Sequence, residues 1–320
     1  MGKWSDLLMK KMKMMVSNNV TFEQGCNEYL DNCRARNLRN GSIKHYIEAI
    51  GQLYKYIPKD TPIEDITQKT FNEFVITLRQ NKDLNDVTLY TYSRDLKTLL
   101  YFFMKNEYMP TFKITLAKAD KQPIETYTDA ELQKMLKKPN LKQCTFQEYK
   151  SWVIVNFLLS TGIRQRSLIN IKIKDVDFEN EVVYINVTKN RKPLIIPLNI
   201  DILKILKEYL KYRNHESKDE YLFCNVFGKQ LSKSTVYHGL WQYNKNRGIE
   251  TTGMHRFRHT FAKKWVTMGG SVVTLSKILG HSSLAITENY LNLLTSDLKQ
   301  DIDRFNILQE FKKQSIKMKK

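Results

Sequence analysis

The stretch "VDFENEVVYINVTKNRKPLIIPL", Val176 to Leu198, constrains the fold more than any other part of the chain. Apolar and polar residues alternate along it as they do in half-buried strands, with turn signals at Glu179-Asn180 and Asn190-Arg191. This predicts a three-stranded antiparallel sheet from about 175 to 198. On both sides of it the apolar residues recur at helical spacing instead. The fold class that follows is mainly α with a small antiparallel β-sheet.

The helical parts fall into two groups. Thr21 and Gln24 form a capping box before a helix reaching about Arg36. "NGS" at 40 to 42 opens a second helix, with Ile43, Tyr46, Ile47, Ile50, Leu53, Tyr54 and Ile57 on one face. A third covers Thr67 to Gln80 with Phe71, Phe74, Val75 and Leu78. A fourth follows Asn85-Asp86 and carries Leu89, Tyr92, Leu96, Leu99, Leu100 and Phe103. These predict a helical N-terminal domain over residues 1–109. After Met109 the periodicity stops. "PTFKITLAKADKQPIETY" has prolines near both ends and reads as a linker over 110–126. A second domain, 127–320, opens on another capping box, Thr128 with Glu131. It is helical through about Ser160, includes the sheet, and is helical again to a basic tail, "KKQSIKMKK".

Bulk properties narrow the function. No apolar run approaches the ~20 residues of a membrane span, and the longest, Trp152 to Leu159, is broken by Asn156 and reads as a buried helix. The opening "MGKWSDLLMKKMKMMV" has lysines within its apolar stretch, unlike a signal peptide, and Asp6 fails the myristoylation pattern. Cys26, Cys33, Cys144 and Cys224 show no CxxC spacing, as expected of reduced thiols in a cytoplasmic protein. The net charge of +19 points to a polyanionic partner, nucleic acid before an anionic membrane.

"MHRFRHTF", Met254 to Phe261, concentrates that charge. Gly253 precedes a helix whose apolar face is Phe257, Phe261 and Trp265. His255, Arg258 and His259 share another face, close to the helix N-terminus. Cations beside unpaired N–H groups suit a phosphate and oppose a metal ion. The HxxxH spacing of His255 and His259 suits zinc, but a zinc protease would want Glu where this chain has Arg256. Two other readings stay open on local sequence: a solvated basic face, and the recognition helix of a DNA-binding regulator.

Distant residues bear on the choice. Arg164 lies in "STGIRQRSL", Lys189 in "VTKNRKPL", and His281 and Tyr290 in "LGHSSLAITENYLN". In order, Arg164, Lys189, His255, Arg258, His281 and Tyr290 match an Arg in a TGxR turn, a Lys in a sheet hairpin, an HxxR pair, a further His and a Tyr. His281 follows Arg258 by 23 positions, and Tyr290 follows His281 by nine. In this the chain resembles the tyrosine recombinases of the phage-integrase family. The motifs cover about Thr128 to Leu294.

The resemblance implies a helical core-binding domain followed by an α+β catalytic domain, together clamping double-stranded DNA. It implies Tyr290 as the nucleophile forming a 3′-phosphotyrosine. Arg164 and Arg258 would hold the phosphate, and Lys189 would act as general acid. His255 would assist proton transfer and His281 would hydrogen-bond the phosphate. No metal, ATP or other cofactor is implied. These residue types fit the chemistry on their own terms. Two guanidiniums can give bidentate hydrogen bonds to non-bridging oxygens, and neighbouring cations favour the phenolate of a tyrosine with an ordinary pKa of about 10.

The implied partners are a homo-tetramer on paired DNA sites and an accessory DNA-bending or directionality protein. The segment Ser296 to Phe311 carries Leu298, Ile302, Phe305, Leu308 and Phe311, to dock on a neighbouring protomer or on its own domain. The expected role is integration and excision of a mobile element, with Xer-type dimer resolution and a non-catalytic DNA-binding regulator as alternatives. The length leaves no room for the N-terminal arm-binding domain of larger integrases. His259 reads as local support, and Arg166 and Arg256 as backbone-phosphate contacts or surface charges. The chain departs from the family in two places. Ser167 stands where the family often has an acid, and Gly253-Met254 replaces a proline before the HxxR helix.

Overall fold

A computed structural model of the protein describes residues 20–81, 84–117, 124–188, 193–281, 283 and 287. The chain divides into two compact units, Met1–Gln122 and Pro123–Lys320. Each has its own apolar core.

The first unit contains helices α1 (Phe22–Ala35), α2 (Asn40–Leu53), α3 (Gln68–Gln80) and α4 (Asp86–Lys105). Local chemistry sets their starts. Thr21 Oγ1 accepts from the Gln24 N–H at 3.3 Å while Gln24 Oε1 accepts from the Thr21 N–H at 2.9 Å. Thr67 and Thr70 make the equivalent reciprocal pair at α3. Asn85 Oδ1 caps α4 through the Thr88 N–H at 2.8 Å. The inward faces interleave Phe22, Leu53, Ile63, Leu78, Leu96 and Phe103, all essentially fully buried. Helix α2 stops at Leu53, yet Ile57 is buried as its spacing predicts. The turns after Leu53 continue the helical course, and the Ile57 N–H donates to the Leu53 carbonyl at 3.0 Å. Ile114 lies in the same core, with its carbonyl accepting from Lys97 Nζ at 2.7 Å.

The second unit is built round α6 (Phe146–Thr161), following α5 (Asp129–Leu136). Buried residues run without a break from Tyr149 to Val155, so α6 has no solvent face along this stretch. It packs against α5 and against α8 (Ile200–Tyr212), α9 (Lys233–Lys245) and α10 (Met254–Thr267). Strands β1 (Val176–Asp177), β2 (Val182–Ile185) and β3 (Leu194–Pro197) form the predicted antiparallel sheet in the order β1-β2-β3. Val183 pairs with Ile196 and Tyr184 with Ile195. The alternation has the expected physical sense: Val183 and Ile196 are buried, while Tyr184 and Ile195 face out.

A departure from the helical reading lies between Arg213 and Ser232. This stretch is irregular, tied down by isolated bridges from Lys172 to Tyr221 and from Cys224 to Gln230. Buried Arg213 organises it, donating from Nη2 to the Tyr221 carbonyl at 2.6 Å and to Glu220 at 3.1 Å. Such pairing is non-local, so helical spacing cannot report it. The final segment, Ser296 to Phe311, and the basic tail lie outside the described residues. No helix among the described residues is long and apolar enough to cross a membrane.

Candidate active site

The site begins where α6 ends. Gly162 takes the left-handed conformation at φ +60°, and its N–H closes on the Leu158 carbonyl at 2.8 Å. A Cβ here would run into the Phe261 ring and the Leu279 side chain. The tight turn places half-buried Arg164 at the start of α7 (Gln165–Leu168).

Helix α10 brings Arg258 to the same place from the other side. Phe257 anchors the helix in the core, stacking at a tilt on Tyr127 with ring centroids 4.7 Å apart. Arg258, one residue on, is only 5% exposed. Its Nη1 donates to the Gly162 carbonyl at 2.9 Å and its Nη2 to the Leu279 carbonyl at 2.8 Å. Arg164 Nη1 donates to that same Leu279 carbonyl at 3.2 Å. Leu279 is the last residue of α11 (Val272–Leu279), where helix carbonyls lack intrahelical partners and the dipole is negative. The end of α11 thus holds two guanidiniums side by side.

Gly280, at φ +60°, turns the chain so that His281 faces them. Arg258 Nη2 lies 2.8 Å from His281 Nε2, and His281 Nδ1 lies 2.7 Å from Thr287 Oγ1. A guanidinium can only donate, so Nε2 is the acceptor and the ring proton sits on Nδ1, donated to Thr287. Burial, then Arg258 and Arg164, push the His281 pKa down to about 4.

These groups open onto a cleft of about 470 Å³, whose lining includes Arg164, Ser167, Thr188, Arg258, Lys277 and His281. Among the described residues, no Asp or Glu lines it. Ser167 is buried, and its hydroxyl donates to the Val187 carbonyl at 3.0 Å. It therefore ties down the strand exit that leads to Thr188.

The structure brings Arg164, Arg258 and His281 together. His255 is exposed in the first turn of α10, with its ring 6.2 Å from that of His259, and is not among the residues lining the cleft. Half-buried His259 has a pKa lowered by burial and by His255 and Arg258. Lys189 and Tyr290 lie outside the described residues. Arg256 is engaged with Glu125 and Thr251, whereas Arg166 is exposed. Lys277 and Thr287 are the side chains that motif reading passed over. Lys277 sits on an otherwise apolar-looking helix, and nothing in the sequence marks Thr287 as a histidine partner. Among the described residues no three His, Cys, Asp or Glu side chains form a group that could hold a metal ion.

Comparison with known proteins fits this geometry. Residues 125–296 match the phage integrase family, and residues 21–122 match the phage integrase SAM-like domain. The chain belongs to the phage integrase family, the tyrosine-type site-specific recombinases, which cleave and rejoin DNA. It is 26% identical over 268 residues to tyrosine recombinase XerA of Saccharolobus solfataricus, covering 82% of this chain and 86% of that one. It is 31% identical over 159 residues to a probable integrase/recombinase of Acholeplasma phage L2, covering 49% of this chain and 53% of that one. Its fold resembles that of the Tn1549 transposon integrase in complex with a circular intermediate DNA, with a TM-score of 0.68 at 22% identity over 83% of this chain and 94% of that one.

Proposed function

We propose that Arg164 and Arg258 grip the non-bridging oxygens of a scissile phosphodiester, and that Tyr290 attacks its phosphorus to form a 3′-phosphotyrosine. The observation carrying this reading is a cleft that gathers Arg164, Arg258, Lys277 and His281 in one lining. Two guanidiniums held side by side suit the non-bridging oxygens of a phosphoryl group in attack. Lys189, which follows the cleft residue Thr188, protonates the departing 5′ oxygen. His255, one turn from Arg258, assists proton transfer from the solvent side. His281 acts after the anion arrives. Phosphate draws the donors of Arg258 away from Nε2 and raises the histidine's pKa, so His281 can then take a proton and donate to the phosphate. The phosphotyrosine conserves the bond energy, so a second strand is joined without ATP.

We assign the biological role to integration and excision of a mobile element, acting as a tetramer on paired double-stranded sites with an accessory bending or directionality protein. The phage relative supports this role. Xer-type dimer resolution is the second reading, supported by the similarity to XerA over most of both chains. The net charge of +19 fits phosphate contacts that make affinity fall steeply with salt.

Covalent capture tests the proposal. The protein is incubated with nicked duplexes tiled from the DNA flanking its own gene, so that the cleaved strand is lost. A detergent-resistant adduct that vanishes in Tyr290→Phe is the expected result, and its position maps the site. An adduct that persists in Tyr290→Phe means another nucleophile. Capture only on chromosomal resolution sites would support the second role.

A further inference from the structure

The two most exposed large apolar residues among the described ones are neighbours: Val226 at 82% and Phe227 at 79%. Single exposed apolar residues are ordinary on protein surfaces. Two in succession at the tip of a polar turn, "CNVFGKQ", are not explained by the fold, because neither packs in any core.

The turn is also built to keep them out. Asn225 Oδ1 accepts from the Phe227 N–H at 2.9 Å and the Lys229 N–H at 3.0 Å. The Asn225 N–H donates to the Lys229 carbonyl at 2.9 Å, and the Gly228 N–H to the Asn225 carbonyl at 3.1 Å. Gly228 supplies the required φ of +72°. The backbone is fixed before any partner arrives, so contact made by the tip carries little ordering cost.

Its footing is the candidate site. Gln230 Nε2 donates to the Ile169 carbonyl at 3.1 Å and to Asn170 Oδ1 at 2.9 Å. Gln165, the residue after Arg164, donates from Nε2 to the Lys233 carbonyl at 2.8 Å. The base of the turn and the start of α9 therefore stand on the short helix that Arg164 begins. The surroundings are cationic. Lys229 and Lys233 are exposed, and no Asp or Glu occurs from Tyr221 to Ile249.

We infer that Phe227, backed by Val226, is an apolar wedge that enters bound duplex DNA and opens a base step near the cleaved phosphate. The inference rests on the proposed phosphate site at Arg164. A phenyl ring gains nothing from phosphates, but it leaves water against base faces, and apolar wedges of this kind unstack and kink a duplex. Flanking lysines would hold the backbone on either side while the ring inserts. A protein partner for this apolar tip would have to meet the same lysines, which favours a polyanion.

The test uses the full chain and a duplex centred on the mapped cleavage position, with 2-aminopurine placed in turn at each nearby base. Wild-type protein should raise the fluorescence several-fold at one step. Phe227→Ala should lose that rise while still binding the duplex in a salt-sensitive way, and Phe227→Trp should restore it. A rise unchanged in Phe227→Ala, or no rise at any position with wild-type protein bound, overturns the wedge while leaving the phosphate site intact. So does a loss of DNA-free self-association in Phe227→Ala with the rise retained, which would make the tip a protomer contact. Wild-type protein that forms no adduct and binds none of the duplexes at low salt overturns the phosphate-site reading and the wedge with it.

Discussion

Arg258 Nη2 donates to His281 Nε2 across 2.8 Å, and that single bond fixes the protonation state of the histidine. The proton sits on Nδ1 and goes to Thr287. With the folded pKa near 4 and an unfolded value of about 6.5, the unfolded chain binds the extra proton first. The contribution of His281 to stability is thus complete above pH 6.5 and is lost as pH falls toward 4. Urea midpoints of the DNA-free protein should drop over that window. His281→Asn, whose amide oxygen can still accept from Arg258, should flatten the slope. His259 acts in the same sense, so some slope will remain. An imidazole nitrogen spectrum showing His281 titrating near 6.5 would sink the assignment.

The two arginines should separate stability from catalysis. Arg258 is buried and satisfies the Gly162 and Leu279 carbonyls, whereas half-buried Arg164 shares one of them at a longer distance. Arg258→Ala leaves the Gly162 carbonyl without its charged donor and should cost about 2–4 kcal/mol of folding stability. Arg164→Ala should cost under about 1 kcal/mol. Strand cleavage should fall at least about 100-fold in both if the proposed phosphate grip holds, because each would remove a preorganised donor. Denaturation curves and single-turnover cleavage on a nicked duplex measure the two effects independently. Equal stability losses would mean that the carbonyl bonds of Arg258 carry no more than those of Arg164.

How much of this was legible in the sequence depends on the range of each interaction. The capping boxes at Thr21 and Thr128 span three residues, and both helices start where those residues predict. The sheet was legible because a period of two over three short strands shows through local composition. The irregular stretch after Arg213 was not, since its order comes from partners such as Lys172 and Ile169, far away in sequence. The ordered pattern of Arg164, Arg258 and His281 pointed to one site. It could not reveal that a main-chain oxygen, Leu279, gathers both arginines, or that Arg258 leaves His281 neutral. Nothing in a motif encodes a carbonyl.

Gly162 should tolerate no side chain. Its φ of +60° costs a non-glycine residue about 1–2 kcal/mol, and the Cβ would press on Phe261 and Leu279. Gly162→Ala should lower stability by about 2–4 kcal/mol, taking strain and overpacking together. It should also depress cleavage well beyond the fraction unfolded, because the turn sets where Arg164 points. The check is cleavage at a temperature and urea concentration where circular dichroism shows the variant fully folded. Full activity there would show that Arg164 does not depend on this turn.

Ser167 makes the sharpest case, because it stands where the family often carries an acid. A restored acid would be expected to help if the position served charge. In this structure it serves as a donor: the hydroxyl gives its proton to the Val187 carbonyl at 3.0 Å in a buried setting. A carboxylate cannot donate, so Ser167→Glu would set oxygen against oxygen at the strand exit next to Thr188. We expect a loss of about 1–3 kcal/mol in stability from the unsatisfied carbonyl and the buried charge. Cleavage should fall, because the strand exit held by Ser167 leads to Thr188 in the cleft lining and, next in sequence, to the proposed acid Lys189. Ser167→Ala, which removes the bond without adding charge, should lie between the two, and Ser167→Thr, which keeps the donor, should stay close to wild type in cleavage. Thermal midpoints and single-turnover rates for the three variants give the ordering. A Glu variant faster than wild type would show that this position acts through charge on the site and not through the carbonyl of Val187.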